Sequence, residues 1–465
     1  MIRVFRHYIS GAYLVLFLLE FVALGAAFFE ANFLRYYING IPWLNWNELL
    51  APAAIFTVTM WASATGMGLY RRTQNGGSAA LLLKVMATFL IGTALMVPVF
   101  YVIPTIALDR NILFYALLSG FLGLLLCRLI FFRLVDKQNL KRRVLVLGAG
   151  YRANMIQDFE SRADDVRFHV LGFLPMGEEP VRVRPVRLID TRLLLNEFAI
   201  KHDIDEIVVA PDDRRGGNLK IDELLDCKIA GIQVVDLLTF FEREAGIIRV
   251  DCLHPSWLIF SDGFRISGGR SLIKRLFDVM ASLALLALVW PLMVLVALGI
   301  QIEDGLRSPI LYRQLRVGLN WKPFVLIKFR SMRPDAEREG RALLTATNDR
   351  RITLVGRVMR KFRIDELPQL FNVLRGDMSF VGPRPERPEF VNKYAESIPY
   401  YSERHRVKPG ITGWAQLSYP YGTNYMDAVE KLQFDLYYVK NYSLFLDLLI
   451  MLQTLEVVLW GRGAR

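Results

Sequence analysis

The sequence contains little cysteine and little histidine, with three and five residues respectively among 465. The cysteines have no metal-like spacing, and Cys127 lies inside an apolar run, so a disulfide framework is not expected. The histidines show no ligand spacing either, and no chemistry is assigned to them. The soluble parts of the chain are therefore expected to lie in a reducing cytoplasm.

No recognisable nucleic-acid-binding module is present, although the chain carries a formal net charge of +12. Nucleic acid is therefore not expected as a partner. The basic residues cluster beside apolar runs, and hydrophobic residues make up 53% of the chain, which is more than an ordinary soluble enzyme contains. Anionic phospholipid headgroups or an anionic substrate explain this charge better.

Four apolar runs in the first part of the chain are each about long enough to cross a bilayer as a helix. They predict a helical transmembrane domain over residues 1–136, at Gly11–Phe29, Leu49–Tyr70, Ala79–Ile103 and Ile112–Leu134. Basic residues such as Arg3, Arg71 and Arg72 flank alternate ends of these runs, whereas the other loops hold few. By the positive-inside rule, both ends of the block are predicted to lie in the cytoplasm. No cleavable signal peptide is expected, because the first run lacks a small-residue cleavage site.

Residues 143–265 are predicted to form a Rossmann-like α/β domain. The predicted strands are Val144–Leu147, Phe168–Phe173, Ile207–Ala210 and Ile232–Val235. The glycine loop Gly148-x-Gly150-x-x-Ala153 after the first strand favours dinucleotide binding, as in membrane-anchored nucleotide-sugar dehydratases. However, the acid expected at the end of the second strand is missing, because Phe173 is followed by Leu174-Pro175-Met176, and no Tyr-x-x-x-Lys pair occurs in the chain. A scaffolding or regulatory role is favoured, and this domain is a candidate for a homodimer contact.

A fifth apolar run, Val279–Ile302, is long enough to span a membrane, which would place everything after it outside the cell. Basic residues flank both of its ends, and Pro291 near its middle removes a backbone hydrogen bond and favours a kink. We therefore predict a re-entrant helix over about residues 272–303, which enters the cytoplasmic leaflet and returns. A fifth full span with a proline kink is the alternative. The interrupted apolar segment Leu444–Trp460 suits a helix lying in the membrane interface.

The stretch Arg360–Pro385 places basic residues close to the adjacent acids Asp365 and Glu366. The surrounding sequence, Ile-Asp-Glu-Leu-Pro, is typical of a helix start, so Asp365 could simply be an N-cap. Alternatively, the helix N-terminus keeps a carboxylate ionised for use as a nucleophile or metal ligand, while Arg360 and Arg363 hold phosphate oxygens. The pattern therefore leaves a structural and a catalytic interpretation.

Arg384 lies between two prolines that restrict its backbone. A guanidinium on such a rigid turn can bind phosphate without first losing much backbone freedom, although an ordinary surface turn is the alternative. Asp377 and Glu386 are further candidates for metal binding or charge balance. Together these residues indicate a site for phosphate and a divalent cation.

Several motifs follow one another in the second half of the chain, from roughly Ser271 to the C-terminus. They are Lys274-Arg275 with Asp278, Pro291, Tyr312-Arg313-Gln314, Arg316-Val317-Gly318, Lys328-Phe329-Arg330-Ser331-Met332, Asp365-Glu366-Leu367-Pro368-Gln369, Gly376-Asp377-Met378-Ser379, Gly382-Pro383-Arg384-Pro385 and Lys408-Pro409-Gly410-Ile411-Thr412-Gly413. In these motifs the chain resembles the bacterial sugar transferase family, the monotopic polyprenyl-phosphate phosphoglycosyl transferases. With its preceding spans and α/β domain, the chain is similar to long members that begin exopolysaccharide assembly, in particular those associated with exosortase systems. One departure is Asn320-Trp321-Lys322, where the family usually shows Asn-Gly-Lys, and it concerns substrate contacts more than catalysis.

The resemblance implies a mixed α+β monotopic catalytic domain over residues 271–465. It implies transfer of a sugar-1-phosphate from a UDP-sugar to a polyprenyl (undecaprenyl) phosphate at the cytoplasmic face of the bacterial inner membrane, with release of UMP. Asp365 is then the nucleophile that forms a phosphosugar–enzyme intermediate, and Glu366 binds Mg²⁺ or orients the site, with Asp377 a second metal candidate. The implied phosphate- or substrate-binding residues are Arg360, Arg363, Arg384, Lys328 and Arg330. The residues expected to anchor the bent helix are Arg275 and Asp278.

Three other functions stay open from the sequence. A membrane-anchored nucleotide-sugar dehydratase or epimerase would need bound nicotinamide and would release no nucleotide. An ordinary glycosyltransferase acting on a lipid would release a nucleoside diphosphate. A polysaccharide-assembly scaffold would show no turnover.

Overall fold

The computed structural model of the chain describes residues 2–4, 7–9, 11–40, 46–70, 77–102, 110–134, 141–162, 166–177, 179–191, 193–213, 220–261, 263–264, 268–305, 307–333, 349, 351–419 and 424–459. The chain divides into two compact units. One comprises the described residues of Met1–Tyr70, Gly76–Leu124 and Ser261–Arg465, and the other comprises those of Leu125–Phe260.

The first part of the chain is helical, as the apolar runs predict. Its helices are α1 (Gly11–Asn39), α2 (Trp46–Gly66), α3 (Gly77–Val102) and α4 (Arg110–Leu134), and a hairpin of β1 (Ile2–Val4) and β2 (His7–Ile9) precedes them. All four helices are long and apolar enough to cross a membrane. Aromatic rings join α1 to α2, where the centroids of Phe17 and Trp61 lie 4.7 Å apart. The chain is therefore a membrane protein with a helical N-terminal region, although Arg71, Arg72 and Ile103 lie outside the described residues.

The middle unit contains a parallel four-stranded sheet with helices between its strands. Its elements are β3 (Arg142–Leu147), α5 (Tyr151–Arg162), β4 (Phe168–Leu174), α6 (Leu195–Lys201), β5 (Glu206–Val209), α7 (Ile221–Ile229), β6 (Gln233–Asp236), α8 (Leu237–Ala245) and α9 (Pro255–Phe260). The strand order is β4-β3-β5-β6, and each predicted strand agrees with an observed one to within about two residues. Phe198 of α6 and Cys227 of α7 pack with Ile207 and Val209 of β5, so both helices bury one side against the sheet.

The last part of the chain mixes helices with short strands. Its elements are α10 (Gly268–Asp304), β7 (Leu311–Val317), β8 (Pro323–Phe329), α11 (Leu354–Lys361), α12 (Gln369–Arg375), β9 (Ser379–Val381), α13 (Pro388–Ser397), β10 (Gly410–Thr412), α14 (Trp414–Ser418), α15 (Tyr425–Lys440) and α16 (Leu444–Leu459). Strands β7 and β8 form an antiparallel hairpin, whereas β9 and β10 pair in parallel. Trp460, the predicted end of the last helix, lies outside the described residues.

The turn of the β7–β8 hairpin contains two residues with left-handed backbone, Asn320 (φ 50°, ψ 41°) and Trp321 (φ 65°). Glycine and asparagine adopt this conformation readily, whereas for a bulky residue such as Trp321 it costs about 1–2 kcal/mol. The Trp321 ring lies against His405, and their ring centroids are 5.1 Å apart. Trp321 therefore stands where the Asn-Gly-Lys pattern has glycine. Its backbone is strained there, and its ring packs against His405.

Contacts near the start of α10 join it to the last part of the chain. Lys274 Nζ lies 2.7 Å from Asp278 Oδ1 and 3.1 Å from Asp447 Oδ2, and all three side chains are buried. Arg275 donates to the carbonyl oxygen of Leu374 at 2.6 Å, at the end of α12. Because a cation is favourable beside the last carbonyls of a helix, this guanidinium stabilises that end of α12.

Contacts at the end of α10 involve the same unit. The Glu303 carboxylate accepts hydrogen bonds from the backbone amides of Leu354 (2.6 Å) and Val355 (2.9 Å) at the start of α11. Asp304 forms an ion pair with Arg330, in which Nη2 and Oδ2 are 2.7 Å apart. Both ends of α10 are thus bound to the region that contains Asp365 and Glu366.

Between these two sets of contacts, the middle of α10 exposes apolar side chains. They include Met280, Leu283, Leu288, Trp290 and Leu295. Pro291 lies among them, within a helix that continues to Asp304. An exposed apolar surface of this kind suits contact with lipid.

Candidate active site

The adjacent acids Asp365 and Glu366 lie on a 3-10 turn between α11 and α12. Arg363, just before the turn, has left-handed backbone with φ 56°, and this turns the chain out of α11. The alternative in which Asp365 simply caps the helix is wrong, because α12 begins at Gln369 and neither the turn nor α12 has a side-chain cap. Another explanation is therefore needed for an acid at position 365.

The Glu366 carboxylate is buried and is held by two arginines. Its Oε1 lies 2.9 Å from Nη2 of Arg384, and its Oε2 lies 3.5 Å from Nη1 of Arg363. The Oε1 atom of Gln416 accepts hydrogen bonds from the other side, from Nη1 of Arg384 (3.1 Å) and Nη1 of Arg363 (3.2 Å). These four side chains form a closed ring. Burial opposes ionisation of Glu366, but the charges of Arg384 and Arg363 outweigh it and lower the pKa of Glu366.

The Asp365 carboxyl group lies in the same electrostatic environment, but its pKa is raised whereas that of Glu366 is lowered. Burial, followed by the charge of Glu366, raises the pKa of Asp365 from 3.8 to about 6. The charges of Lys328, Arg360 and Arg384 oppose this rise. At pH 7 about nine tenths of a carboxyl group with this pKa is ionised. A carboxylate that is both ionised and poorly solvated is suited to nucleophilic attack.

Lys328 of β8 contributes a further cation. Its ammonium nitrogen lies 5.1 Å from the centre of the Tyr312 ring, within the range of a cation–π interaction. Burial lowers the pKa of Lys328, while the charges of Asp365 and Glu366 oppose that effect. The predicted cations Lys328, Arg360, Arg363 and Arg384 therefore all act on the acid pair, through contact or through their charge.

The backbone that presents Arg384 is fixed by a buried ion pair. Arg404 Nη2 donates to the carbonyl oxygen of Arg384 at 2.9 Å. The same guanidinium pairs with Asp435 at 2.8 Å and donates to the Tyr401 hydroxyl at 2.8 Å. A buried charge is retained only when it is paired in this way. The predicted rigid turn at Arg384 is thus fixed by the hydrogen bond from Arg404 as well as by its flanking prolines.

Two predicted site residues lie elsewhere. Arg330 is buried in its ion pair with Asp304, and the described contacts give it no link to the acid pair. Asp377 follows the far end of α12, where its amide donates to the carbonyl oxygen of Asn372 at 3.1 Å. The seven-residue α12, about 10 Å long, separates it from Glu366. The predicted phosphate role of Arg330 and metal role of Asp377 therefore gain no support from their positions.

Gln416 and Arg404 belong to this site, although the sequence does not single them out. Gln416 carries no charge and lies 53 residues from Arg363 and 32 from Arg384. Its only sequence signal is its place three residues after the Lys408–Gly413 motif. The amide nitrogen of Gln416 donates to the Ile411 carbonyl at 3.3 Å, which turns its oxygen toward the two arginines.

We expect Gln416→Leu to lower kcat/KM by about tenfold, because both guanidinium groups would lose one fixed partner while Glu366 still holds them. The loss should fall mainly on kcat for any reaction that uses these arginines in its transition state. Steady-state kinetics and a thermal melt would be measured together. An unchanged kcat with an intact fold would contradict a positioning role.

The acid pair is also the best candidate for a metal site. Among the residues that the structure describes, no group of three or more His, Cys, Asp or Glu side chains could hold a metal ion. Mg²⁺ is commonly held by one or two carboxylates together with substrate phosphates and water, so a complete protein cage is not required. Asp365 and Glu366 fit that mode of binding.

The glycine loop of the middle unit is occupied by the chain's own carboxylates. Asp212 accepts hydrogen bonds from the backbone amides of Tyr151 and Arg152, each at 2.8 Å. Glu179 accepts from the Ala149 amide at 2.6 Å and from the Asp212 amide at 3.1 Å. In a dinucleotide-binding domain, amides at this position bind the pyrophosphate. The loop therefore places two negative charges where a dinucleotide would need free amide donors.

Comparison with known proteins gives the chain its family. The family profile described as "Bacterial sugar transferase" matches residues 269–461. A similar protein is "UDP-N-acetylgalactosamine-undecaprenyl-phosphate N-acetylgalactosaminephosphotransferase" of Aeromonas hydrophila, which is 40% identical over 267 residues, or 57% of this chain and 61% of the relative. The "UDP-glucose:undecaprenyl-phosphate glucose-1-phosphate transferase" of Escherichia coli strain K12 is 38% identical over 264 residues, or 56% of each chain.

A shorter relative, "Uncharacterized sugar transferase EpsL" of Bacillus subtilis, is 42% identical over 192 residues. That alignment covers 41% of this chain but 90% of the relative. The longer relatives are matched over only about three fifths of their length. Because 90% of that sugar transferase is matched at 42% identity, the chain belongs to the bacterial sugar transferase family.

Proposed function

We propose that this chain transfers a sugar-1-phosphate from a UDP-sugar to undecaprenyl phosphate, with release of UMP, as the first membrane step in the synthesis of a polysaccharide. The observation that carries the proposal is the ionisable Asp365 beside Glu366, within a group of four cations. Phosphoryl transfer requires neutralisation of phosphate oxygens more than it requires acid–base groups. The names of the long relatives describe transfers of the same kind.

In the first step, an Asp365 carboxylate oxygen attacks the β-phosphorus of the UDP-sugar. A bond forms between that oxygen and phosphorus, and the bond from phosphorus to the bridging oxygen breaks. UMP leaves with the bonding electron pair, and the sugar phosphate stays on Asp365 as an acyl phosphate. Arg384 and Arg363 stabilise the charge that collects on the phosphate oxygens.

In the second step, a phosphate oxygen of undecaprenyl phosphate attacks the same phosphorus. The bond from phosphorus to Asp365 breaks, and the carboxylate is restored. The product is undecaprenyl diphosphate sugar, and no net proton is required from the protein. Two steps allow a soluble donor and a lipid acceptor to react at one carboxylate in turn.

Asp365 and Glu366 would hold Mg²⁺ together with the substrate diphosphate, and the ion would neutralise phosphate charge when bound. Arg384 and Arg363 each contact one carboxylate oxygen of the ionised Glu366, so the ion would bind through the lone pairs that these contacts leave, since each carboxylate oxygen can accept more than one contact. Magnesium dependence therefore belongs to this proposal as an expected property.

The released nucleotide tests the proposed reaction. Purified protein would be mixed with Mg²⁺, undecaprenyl phosphate and a panel of UDP-sugars, and the nucleotide product identified by chromatography. UMP is the expected product. Release of UDP would indicate an ordinary glycosyltransferase, and absence of turnover with every sugar would favour a scaffold.

We expect the rate of the first step to fall about tenfold for each pH unit below about 6, because protonated Asp365 cannot attack phosphorus. The direction follows from the raised pKa: the carboxylate form is lost at a higher pH than for an ordinary aspartate. Adduct formation would be measured with UDP-sugar alone, since undecaprenyl phosphate itself titrates near pH 6. A rate that stays constant down to pH 5 would contradict the assignment of Asp365.

We also propose that α10 is re-entrant and that the catalytic region faces the cytoplasm at the inner membrane. The support is that both ends of α10 contact the part of the chain that contains Asp365 and Glu366, while its middle exposes apolar side chains. A helix that crossed the bilayer would bring its two ends to opposite faces, about 30 Å apart. Pro291 would allow the bend that brings both ends to one face.

Cysteine labelling tests this topology. Leu272→Cys and Ile302→Cys place thiols at exposed positions near the two ends of α10. We expect neither to react with a membrane-impermeant maleimide in intact cells, and both to react after the inner membrane is permeabilised. Labelling of one position but not the other in intact cells would indicate a full span instead.

A further inference from the structure

His405 is a buried titratable group that the proposed reaction does not use. It lies in the 3-10 turn Tyr401–Arg406, next to Arg404, and only 6% of its surface is exposed. Among the residues that the structure describes, no group forms a hydrogen bond with its Nε2 atom. In the imidazolium form both ring nitrogens carry protons, so protonation would leave a buried, charged N–H without an acceptor. The geometry therefore favours the neutral imidazole.

The turn of the β7–β8 hairpin contacts His405 at two points. The Trp321 ring lies against the imidazole, with ring centroids 5.1 Å apart, and the backbone of Gly318 forms a hydrogen bond with the imidazole. Trp321 is 40% exposed, so its ring stands between the imidazole and solvent. Its left-handed backbone is one that glycine would adopt without strain. The strained tryptophan thus supplies a cover that a glycine at this position could not.

His405 is linked to the Arg384 turn through its neighbour Arg404. Arg404 Nη2 donates to the carbonyl oxygen of Arg384 at 2.9 Å, and all three side chains line one small cavity. An imidazolium at this place would be a third cation beside two guanidinium groups, and like charges repel one another. Because the cavity leaves room for movement, Arg404 could then shift, and the Arg384 carbonyl would lose its donor.

We propose that the Trp321 ring is a cover that excludes water from His405 and keeps the imidazole uncharged, so that Arg404 stays in place behind Arg384. Trp321 and His405 are then positioning residues, because they act on the site through Arg404. The effect on turnover rests on the phosphate role that the proposed function gives to Arg384. The effect on His405 itself does not.

The electrostatic surroundings of His405 agree with an uncharged ring. Burial, followed by the charge of Arg404, lowers the pKa of His405 from 6.5 to about 3, while the hydrogen bond with Gly318 opposes this effect. Of the charged groups nearby, only Arg404 contributes to this lowered pKa. The other titratable groups on the turn and on the elements around it are Tyr401, Glu403 and Arg406, Lys322 of the hairpin, Arg384 and Glu386, Tyr394 of α13, and Lys431 and Asp435 of α15.

Turnover measured at two pH values tests the cover. In Trp321→Gly we expect solvent to reach His405, which would then titrate near its ordinary pKa of about 6.5. About three quarters of such rings are charged at pH 6, so the rate of Trp321→Gly relative to the unchanged protein should be about fourfold lower at pH 6 than at pH 8. Protonation of Asp365 affects both proteins alike and cancels in this ratio. With His405→Asn added to both proteins, the ratio should not change with pH.

Thermal unfolding tests the state of His405 without relying on turnover. A histidine whose pKa is lower in the folded than in the unfolded chain makes the protein less stable as the pH falls from about 6.5 toward 3. Trp321→Gly should escape part of this loss. Its melting temperature relative to the unchanged protein should therefore rise by about 2–4 °C between pH 7.5 and pH 5. In a His405→Asn background, the temperature difference caused by Trp321→Gly should be the same at both pH values.

Two controls keep the cover distinct from a general effect on the hairpin. Trp321→Phe keeps an aromatic ring over His405, and Val325→Ala removes an exposed apolar side chain from the same hairpin. Both should give a rate ratio and a temperature difference that do not change with pH. The same result for Trp321→Gly would overturn the proposal, and so would a pH dependence that persists without His405. If the unchanged protein shows no turnover, the proposed function fails, and the melting temperatures alone decide whether Trp321 covers His405.

Discussion

Asp365→Asn is expected to abolish the covalent phosphosugar adduct and to lower turnover by at least about 10⁴-fold, because it removes the attacking oxygen charge while keeping nearly the same shape. The fold should survive. Burial raises the pKa of Asp365, which means that the ionised carboxylate is less stable in the folded protein than in water. A neutral amide carries no such cost, so the melting temperature should stay the same or rise.

The adduct would be detected by incubating the protein with UDP-sugar that carries a radioactive β-phosphate, without lipid acceptor, and denaturing it. An acyl phosphate should be released by hydroxylamine. Asp203→Asn is the matched control, since that aspartate is 85% exposed in the middle unit and should label normally when replaced. Labelling of Asp365→Asn to the level of the unchanged protein would exclude Asp365 as the nucleophile.

Arg384→Lys is expected to lower kcat/KM by about 10²-fold although it keeps the positive charge. The guanidinium reaches Glu366 with one nitrogen and Gln416 with another, at 2.9 and 3.1 Å. An ammonium group presents a single nitrogen and cannot make both contacts while also meeting a phosphate in a forked arrangement. Glu366 would then lose the partner that does most to lower its pKa.

Kinetics with UDP-sugar as the varied substrate would measure this loss, with Arg406→Lys as the control for replacing an arginine in the same region. Arg406 is 60% exposed and pairs only with nearby Glu403 among the contacts described. We expect that control to retain normal activity. Equal activity of Arg384→Lys and the unchanged protein would show that charge alone, without forked geometry, is sufficient at this position.

The features that could be predicted from the sequence are those that depend on residues close together in the chain. The apolar runs predict the helices of the N-terminal region, because twenty apolar residues can satisfy their backbone only as a helix in lipid. The predicted strands of the middle unit are present because each is a short buried run between helices. The acid pair and Arg384 could be identified as site candidates because the nearby charges and the two flanking prolines stand in the same short stretch of sequence.

What could not be predicted depends on contacts between distant residues. Nothing near Gln416 indicates that it bridges two arginines, and nothing near Arg330 indicates that Asp304 binds it. The carboxylates that occupy the glycine loop come from positions 30 and about 60 residues away, so the loop looks like a phosphate site until they are seen. The capping interpretation of Asp365 is wrong because Asp365 lies within a 3-10 turn that ends at Glu366, whereas α12 begins only at Gln369.

The buried contact between Lys274, Asp278 and Asp447 sets an order for biogenesis. About 170 residues separate Asp278 from Asp447, so a ribosome adding about 5–20 residues per second needs roughly 10–30 s to supply the last partner. During that interval α10 has already been made, but Asp447, which holds the start of α10, has not. Because Lys274 and Asp278 are one helical turn apart, they neutralise each other as the helix forms. The Lys274 charge is thus already paired with Asp278 inside the new helix while the segment that contains Asp447 is still being made.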